Sequence, residues 1–349
     1  MPQALTIAGR KIGQGQPPFV IAELSGNHNG DIGRAKQLMR AAKDAGADAV
    51  KLQTYTADTI TISHDGPEFR ITGGLWHNRS LHDLYREAHT PWEWHPELFQ
   101  LGRDLGIPVF SSPFDETAVD FLEELGTPAY KVASFELIDL PLIRKMASTG
   151  KPMIMSTGLG SLGEISEAIE AARGAGCKEL AVLHCVSAYP SPVEEANVRT
   201  MTHLAEAFDV VVGLSDHSPG SAVPAAAVAL GASVVEKHMT LARADGGPDS
   251  AFSLEPDEFR EMAETCRLVQ KAVGRVSYET TESEKGNLIF RRSLYVVADI
   301  AAGEEFTASN VRSIRPGKGL PPKHLPQVLG RAARRAIKRG TALSWTDVD

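Results

Sequence analysis

Two histidines close two short segments late in the chain, LSDHS (214–218) and EKHMT (236–240). Side chains alternate faces along an extended strand. Ser215 therefore shares a face with His217, with Asp216 opposite, and Glu236 shares a face with His238, with Lys237 opposite. If the two segments are neighbouring strands, about 4.8 Å apart, the imidazoles come close enough to share one divalent ion. Imidazole suits Mn, Fe, Co or Zn better than Ca, and a hydrogen-bonded histidine pair is the plain alternative. With only two protein ligands, water and substrate would complete the shell, the open arrangement that carbonyl activation needs. Two lysines interrupt apolar runs, Lys51 in DAVKLQTY (48–55) and Lys131 in AYKVASFE (129–136). A buried ammonium is costly unless it meets an anion, so the pair points to a phosphate or carboxylate ligand, or to Lys–Glu pairing inside a barrel. Gln53 shares the face of Lys51. Ser112, Ser156, Ser187 and Ser215 stand near the ends of apolar runs, where hydroxyls donate to phosphate oxygens without adding charge; any one alone reads as a turn residue. Glu23 lies in the first run and suits a sugar hydroxyl or a proton transfer, and Asp249 lies in the loop DGGPDSAFSLEP. His184 has the parity opposite to Cys185 and Ser187 and reads as a packing residue, while His28, in SGNHNG, has no assigned role.

These side chains need a frame that gathers strand ends. Eight runs qualify as strands: FVIAELSG (19–26), 48–55, IPVFSSPF (107–114), 129–136, PMIMSTG (152–158), ELAVLHCVS (179–187), VVVGLSDHS (210–218) and ASVVEKHMT (232–240). Helical stretches at 32–45, 116–125, 161–175 and 221–230 lie between them, each ending near a glycine (Gly46, Gly126, Gly176, Gly231). The alternation implies a parallel sheet, and eight strands imply a closed (β/α)8 TIM barrel, in which the C-terminal strand ends build the active site. An open doubly wound sheet is the alternative, but its GxGxxG turn after the first strand is absent. The stretch 57–104 holds Trp76, Trp92 and Trp94 and is expected to lie over the barrel mouth as a lid. The barrel is expected over 1–275, a polar linker over 276–289, and a small β-rich module over 290–349.

The chain has 349 residues, 42% hydrophobic and 23% charged, an ordinary globular composition. Its net charge of −8 argues against general nucleic-acid binding. From residue 287 onward, however, 11 Lys+Arg face 5 Asp+Glu, which leaves −14 for the rest. The basic tail is either a solvated module or one that meets an anionic site or an acidic partner surface. Cys177, Cys185 and Cys266 are odd in number and form no CxxC, which argues for a reducing, cytoplasmic compartment. No run has the length of a membrane span, and the first 25 residues lack the pattern of a signal peptide.

The segments IAELSGNHNG, DAVKLQTY, SSPFDETAVDFLEELGTPAYKVASFE, KPMIMSTG, GLSDHS, VALGASVVEKHMT and GGPDSAFSLEP together resemble the sialic acid synthase family, the phosphoenolpyruvate-condensing synthases of nonulosonic acids. RRSLYVVADIAAGEEFTASNVRSIRPGKGL resembles the antifreeze-like (SAF) domain that follows the barrel in these enzymes. The resemblance implies that Lys51, Ser112, Lys131, Ser134, Ser156 and Ser215 hold phosphoenolpyruvate, with Ser187 beside them. It implies that His217 and His238 bind a divalent metal, Mn above Mg, Co or Zn. Glu23, Tyr189 and Asp249 match amino-sugar contacts, and Gln53 and Glu136 lie near the reacting atoms, with either Glu23 or Glu136 moving protons. Arg315 matches an arginine that reaches the active site of the other subunit, which implies a domain-swapped homodimer. HCVSAYP, TPWEW, GGLW and DGGPDSAFSLEP resemble the pseudaminic acid branch, whose sugar aldehyde is 2,4-diacetamido-2,4,6-trideoxy-L-altrose. That sugar lacks a 6-hydroxyl, so an apolar lid near Trp76 and Phe252 is expected. Ser187 stands where the N-acetylneuraminate branch has Asn, and the sugar-binding Asn of that branch has no clear counterpart. The alternatives are an N-acetylneuraminate or legionaminate synthase using an N-acetylmannosamine-type sugar, a metal-dependent pyruvate aldolase, which needs no phosphate site, and a sugar- or ice-binding protein without catalysis.

Overall fold

The period-two runs become strands, and their pairing closes on itself. The computed structural model describes residues 4–349. A hairpin of β1 (Leu5–Ile7) and β2 (Arg10–Ile12) comes first. The barrel strands follow: β3 (Phe19–Glu23), β4 (Ala49–Thr54), β5 (Val109–Pro113), β6 (Tyr130–Val132), β7 (Met153–Ser156), β8 (Leu180–Cys185), β9 (Val211–Asp216) and β10 (Val234–His238). Every neighbouring pair is parallel, and the seam is β10 against β3, in register from Val234–Phe19 to His238–Glu23. The closed eight-stranded barrel is thus the one expected from the sequence.

Helices α1 (Ile32–Asp44), α2 (Ala57–Ile60), α3 (Leu81–Ala88), α4 (His95–Leu105), α5 (Glu116–Glu124), α6 (Leu140–Ser148), α7 (Leu162–Gly174), α8 (Arg199–Phe208), α9 (Ala222–Ala229) and α10 (Pro256–Val273) fill the connections. Their starts are chemically marked. The side chains of Asp31, Asp115, Asp139 and Ser161 each accept a backbone N–H of the first turn, which the helix cannot bond itself. Outward strand residues such as Val20, Val50, Met153, Val182 and Val235 pack under the apolar faces of these helices in one continuous core. Burial of that surface, at about 25 cal/mol per Å², is the main force holding the ring of helices on the barrel.

The inward residues separate by height. At the N-terminal end Phe19, Ile21, Ala49, Phe110, Ile154, Ala181 and Val234 form a second core with Leu5, Ile7 and Ile12 of the hairpin, which plugs the barrel bottom. The hairpin turns through Ala8 and Gly9, both at positive φ (47° and 81°), as a two-residue turn requires. Two charged residues also face outward: Lys237, wholly buried, pairs with Asp216 and donates to the Ser218 carbonyl.

The stretch 57–104 differs from a single lid. It contains α2, α3 and α4, and α4 is the barrel's own layer helix, with Leu98, Phe99 and Gly102 buried at helical spacing. Trp92 stacks on Phe121 of α5 at 4.8 Å, and Trp94 meets the His28 ring edge-on at 5.4 Å, so both are packing residues. Trp76 alone of the three is in contact with residues at the barrel mouth.

The chain divides into two units, Met1–Gly274 and Arg275–Asp349. In the second, β11 (Ser293–Val296) and β12 (Val311–Ile314) pair antiparallel, and isolated bridges such as Ile300–Ile337 and Ala333–Val348 complete a small β-rich body. Leu294, Val296, Ile300, Phe306, Val311 and Ile337 belong to its core, and α11 (Leu325–Val328) is a single helical turn.

Candidate active site

Strand register sets the group at the barrel mouth. Glu23 on β3 is level with Lys51 on β4, and Gln53 with Ser112 on β5. All of these face inward, one alternation above the apolar plug. Lys51 is paired with Glu23, lies 3.4 Å from Glu236 Oε1, and donates to Ser112 Oγ at 3.4 Å. Lys131 on β6 donates to Ser156 Oγ of β7 at 2.6 Å and lies 3.8 Å from the same Glu236 oxygen. Ser215 of β9 donates to Glu236 Oε1 at 3.5 Å. Glu236 Oε2 is buried with no hydrogen-bond partner among the described residues.

Burial lowers Lys131 below the ordinary lysine range. Burial pulls Lys51 the same way, but Glu23 and Glu236 outweigh it and hold Lys51 protonated. Burial would raise Glu236, yet Lys131 and Lys51 keep its carboxyl below the usual range. Burial outweighs the pull of Lys51 and leaves the Glu23 carboxyl above its usual range. Its neighbours are donors: the Ser25 N–H at 2.9 Å and Gln53 Nε2 at 3.2 Å both bond Oε1, which favours the ionised, acceptor-only form. Two ammonium groups balanced by two carboxylates leave a mouth that is electrically satisfied and can take up an anion.

Beyond β6, Ser134 lies in a short 3-10 turn and its Oγ accepts the Gly158 N–H at 3.1 Å. A Cβ on Gly158 would collide with the hydroxyls of Ser187 and Ser134, so only glycine lets the three approach. Glu136 follows in the same turn. Burial pushes its carboxyl up to about 7, and Oε2 has no hydrogen-bond partner among the described residues.

The two histidines lie side by side on adjacent strand ends, ring centroids 5.3 Å apart. His217 Nδ1 donates to the Val186 carbonyl at 2.9 Å. A carbonyl only accepts, so this ring carries a proton on Nδ1. His238 Nδ1 is 3.2 Å from Ser25 Oγ. Burial first, and then His217, hold His238 well below the ordinary imidazole range, which keeps it neutral. Burial pulls His217 down, but Cys185 and the Val186 carbonyl outweigh it and hold His217 above the ordinary imidazole range; imidazoles with Nδ1 engaged bind a divalent ion through Nε2 once that nitrogen is deprotonated. No cluster of three or more His, Cys, Asp or Glu ligands exists among the described residues, so such an ion would retain open positions.

Aromatic rings roof the histidines. Tyr189 lies 4.3 Å from His217 and 5.1 Å from Phe252, and Phe252 lies 4.9 Å from His238, centroid to centroid. Trp76 is 5.7 Å from Tyr189, and its Nε1–H donates to the Pro248 carbonyl at 2.9 Å, tying the lid to the loop that carries Asp249. Asp249 Oδ2 accepts the Gly26 N–H at 3.3 Å, and burial raises its carboxyl.

The structure therefore gathers Glu23, Lys51, Gln53, Trp76, Ser112, Lys131, Ser134, Glu136, Ser156, Ser187, Tyr189, Ser215, His217, His238, Asp249 and Phe252 on strand ends or the loops that follow them. Arg315 belongs to the second unit, where it is exposed with its guanidinium 5.9 Å from the Phe290 ring. His184 faces outward and bonds the Ala196 carbonyl at 2.7 Å, as a packing residue should. His28 is buried; its Nδ1 accepts the Gly30 N–H at 3.1 Å, and it braces the turn after β3. Sequence reasoning gave no role to Glu236, although alternation puts it on the face of His238, because its lysine partners come from β4 and β6. A hollow of about 600 Å³ beside His184, Val193 and Val223 is lined by none of the gathered residues.

Residues 38–278 match the NeuB family, and residues 291–349 match the SAF domain. The pseudaminic acid synthase of Helicobacter pylori is 44% identical over 338 residues, 96% of this chain and 98% of its own length. The N,N'-diacetyllegionaminic acid synthase of Campylobacter jejuni is 38% identical, over 92% of this chain and 97% of its own. Among solved structures, the N-acetylneuraminic acid synthetase of Leptospira borgpetersenii, in complex with citrate, has a TM-score of 0.73 at 30% identity, covering 82% of this chain and 95% of that one. The family match takes in most of the barrel and the identity extends over nearly the whole sequence: the chain belongs to the NeuB family.

Proposed function

We propose that this chain makes pseudaminic acid, condensing phosphoenolpyruvate with the open-chain aldehyde of 2,4-diacetamido-2,4,6-trideoxy-L-altrose and water, and releasing phosphate. The observation that carries the reading is the ring of inward polar groups. Lys51 and Lys131, with the hydroxyls of Ser112, Ser134, Ser156, Ser187 and Ser215, form a phosphate- and carboxylate-binding rim next to a pair of imidazoles. A pyruvate aldolase would have no use for the phosphate half, and a sugar- or ice-binding protein would have no use for two buried lysines. The higher identity to a pseudaminic acid synthase, 44% against 38% for a legionaminic acid synthase, favours the altrose-derived sugar. So does the apolar roof of Trp76, Tyr189 and Phe252 above a sugar that lacks its 6-hydroxyl.

His217 and His238 would hold a divalent cation, manganese in our reading, which when bound polarises the aldehyde. Lys51 and Lys131 offset the phosphate and carboxylate charge with charge-assisted hydrogen bonds. As carbon three of phosphoenolpyruvate attacks the aldehyde carbon, the aldehyde oxygen needs a proton. Glu136, with a pKa of about 7, is the carboxyl best matched to donate it at neutral pH. Glu23, bonded to Lys51, Ser25 and Gln53, stays an acceptor and orients the sugar. Water then adds at carbon two, and the intermediate expels phosphate. Arg315 would reach the mouth of a second copy in a domain-swapped homodimer, bringing the positive charge of the basic tail to an anionic site. We place the reaction in the cytoplasm; no helix among the described residues is long and apolar enough to cross a membrane.

The test is phosphate release with Mn²⁺ and phosphoenolpyruvate, comparing the 2,4-diacetamido-trideoxy-altrose with N-acetylmannosamine. Release with the former alone is expected. Release with N-acetylmannosamine would keep the chemistry and move the chain to the neuraminate branch, and release with neither would remove the catalytic reading.

A further inference from the structure

The turn after β3 grips the loop that carries Asp249 and Phe252, through side chains that have no part in the chemistry above. Asn27 is wholly buried. Its Nδ2 donates to the Met239 carbonyl at 2.9 Å, one residue past β10, and to Ser253 Oγ at 2.8 Å. Ser253, 1% exposed, donates in turn to the Asp249 carbonyl at 2.6 Å. Each direction is forced. An amide nitrogen only donates and a carbonyl only accepts, so the hydroxyl between them accepts from one and donates to the other. Asn27 Oδ1 is buried with no hydrogen-bond partner among the described residues, which is a cost to folding. Turning the amide over would not remove that cost, because the oxygen would then face the Met239 carbonyl. Other contacts run the same way. The Gly26 N–H donates to Asp249 Oδ2 at 3.3 Å, and Asn29 Nδ2 donates to the Gly246 carbonyl at 3.1 Å. The loop comes so close that a Cβ on Gly247 would lie 2.2 Å from Asn29 Oδ1. Arg34 of α1 donates from Nε to the Asn27 carbonyl at 2.8 Å and from its guanidinium to Asp245 Oδ2 at 2.6 Å.

We propose that Asn27 is a positioning residue for the sugar half of the site: through Ser253 it fixes the loop of Asp249 and Phe252 at the mouth, and so sets the affinity for the amino sugar. The inference rests on the synthase reading given above. The loop hangs between two supports. On one side Trp76 of the half-exposed lid bonds the Pro248 carbonyl at 2.9 Å. On the other side stands the turn, whose residues Ser25, Gly26, Asn27 and His28 are all buried. Packed surroundings leave the turn little room to move, so it is the fixed reference and the lid is the part that follows. The phosphate half is held by different bonds. Lys51 and Lys131 meet Ser112 and Ser156 on β4 to β7, whereas the side-chain partners of Asn27 and Ser253 all follow β10. Cutting the chain from Asn27 to Asp249 therefore loosens the sugar contacts and leaves the phosphoenolpyruvate contacts in place.

The test compares the full chain with Asn27→Ala, Ser253→Ala and the double variant. Phosphate release gives KM for the amino sugar and for phosphoenolpyruvate separately, and hydrogen–deuterium exchange of the 241–254 backbone follows the loop without substrate. Asn27→Ala is expected to raise the sugar KM about tenfold and Ser253→Ala about threefold, the scale of one or two buried hydrogen bonds. KM for phosphoenolpyruvate is expected to stay within about twofold of the parent in both. The double variant is expected to match Asn27→Ala, because both substitutions cut one chain and such effects do not add. Exchange of the loop should quicken about tenfold in Asn27→Ala. An unchanged sugar KM, or an equal rise in both KM values, would overturn the assignment. If Asn27→Ala melts below the assay temperature, Ser253→Ala, which loses a single hydroxyl, decides alone by the same two outcomes. Unchanged exchange in an active Asn27→Ala removes the clamp and leaves the synthase reading standing. A parent that releases no phosphate with either sugar removes the synthase reading, and the sugar role of Asn27 goes with it.

Discussion

At the bottom of the barrel the strands present Phe19, Ile21, Ala49, Ile154 and Val234 to one another and to the hairpin's Leu5, Ile7 and Ile12. Two to four residues further along the same strands they present Glu23, Lys51, Gln53, Ser156, Glu236 and His238. Both ends are buried. The lower one is close-packed hydrocarbon that needs no partner beyond contact. The upper one is a set of charges that survive burial because each carboxylate meets an ammonium or a donor. Burying such pairs contributes little or negatively to stability compared with apolar side chains of the same size. What the mouth forgoes in stability it retains as readiness for an anion, since its dipoles and charges are already in place before substrate arrives.

Substitutions at the two ends should therefore separate activity from stability. Lys131→Met combined with Glu236→Leu gives the largest effect: kcat/KM for phosphoenolpyruvate falls about 1,000-fold, as for loss of a key electrostatic donor, while the melting temperature stays level or rises because both charges of the pair are removed together. A large loss of stability in that variant would break the contrast. Phe19→Ala does the reverse, costing about 3 kcal/mol in denaturant unfolding with kcat/KM per folded molecule unchanged. Glu136→Gln is next, lowering kcat by about 100-fold at neutral pH. On the proposed mechanism protonated Glu136 is the active form, so activity should fall as pH rises through about 7, and this limb should vanish in the variant. The groups acting on Glu136 besides burial are its own backbone N–H, Lys131, Asp139 and Lys51, none of which the substitution removes. The same shift carries a stability signature. Its folded pKa, about 7, lies above the ordinary 4.5, so its contribution is complete below about pH 4.5 and is lost as pH rises through 7, and Glu136→Gln should flatten that slope in melting curves. The smallest effect is expected at Trp76→Ala, which should shift the ratio of kcat/KM between the trideoxy sugar and N-acetylmannosamine by about tenfold, the scale of one methyl-sized contact.

The barrel is legible in the sequence because its strands are short apolar runs separated by well-capped helices, and the mouth is legible because Lys51 and Lys131 break those runs. The hairpin plug is not. Its strands have three residues each, and Ala8–Gly9 is not one of the Asn–Gly or Asp–Gly pairs that signal a two-residue turn. The tryptophans mislead for a related reason. Composition groups Trp76, Trp92 and Trp94, but what separates them is a partner, Phe121 or His28, contributed by another segment. The contact of Ser25 with His238 is hidden because it depends on a positive φ and joins residues 213 apart.

The seam between β3 and β10 joins residues 19–23 to 234–238, and the bond from Ser25 to His238 crosses it. Strands β3 through β9 precede the last strand in the chain, and Lys51, Lys131 and their serine partners Ser112 and Ser156 all lie on them. The second imidazole and Glu236 arrive only with that strand. Joining ends so distant in sequence is the slow, entropically expensive event in such a topology. If both histidines hold a cation as proposed, its uptake would report the last step of folding, because a fragment ending before His238 carries only half of that pair.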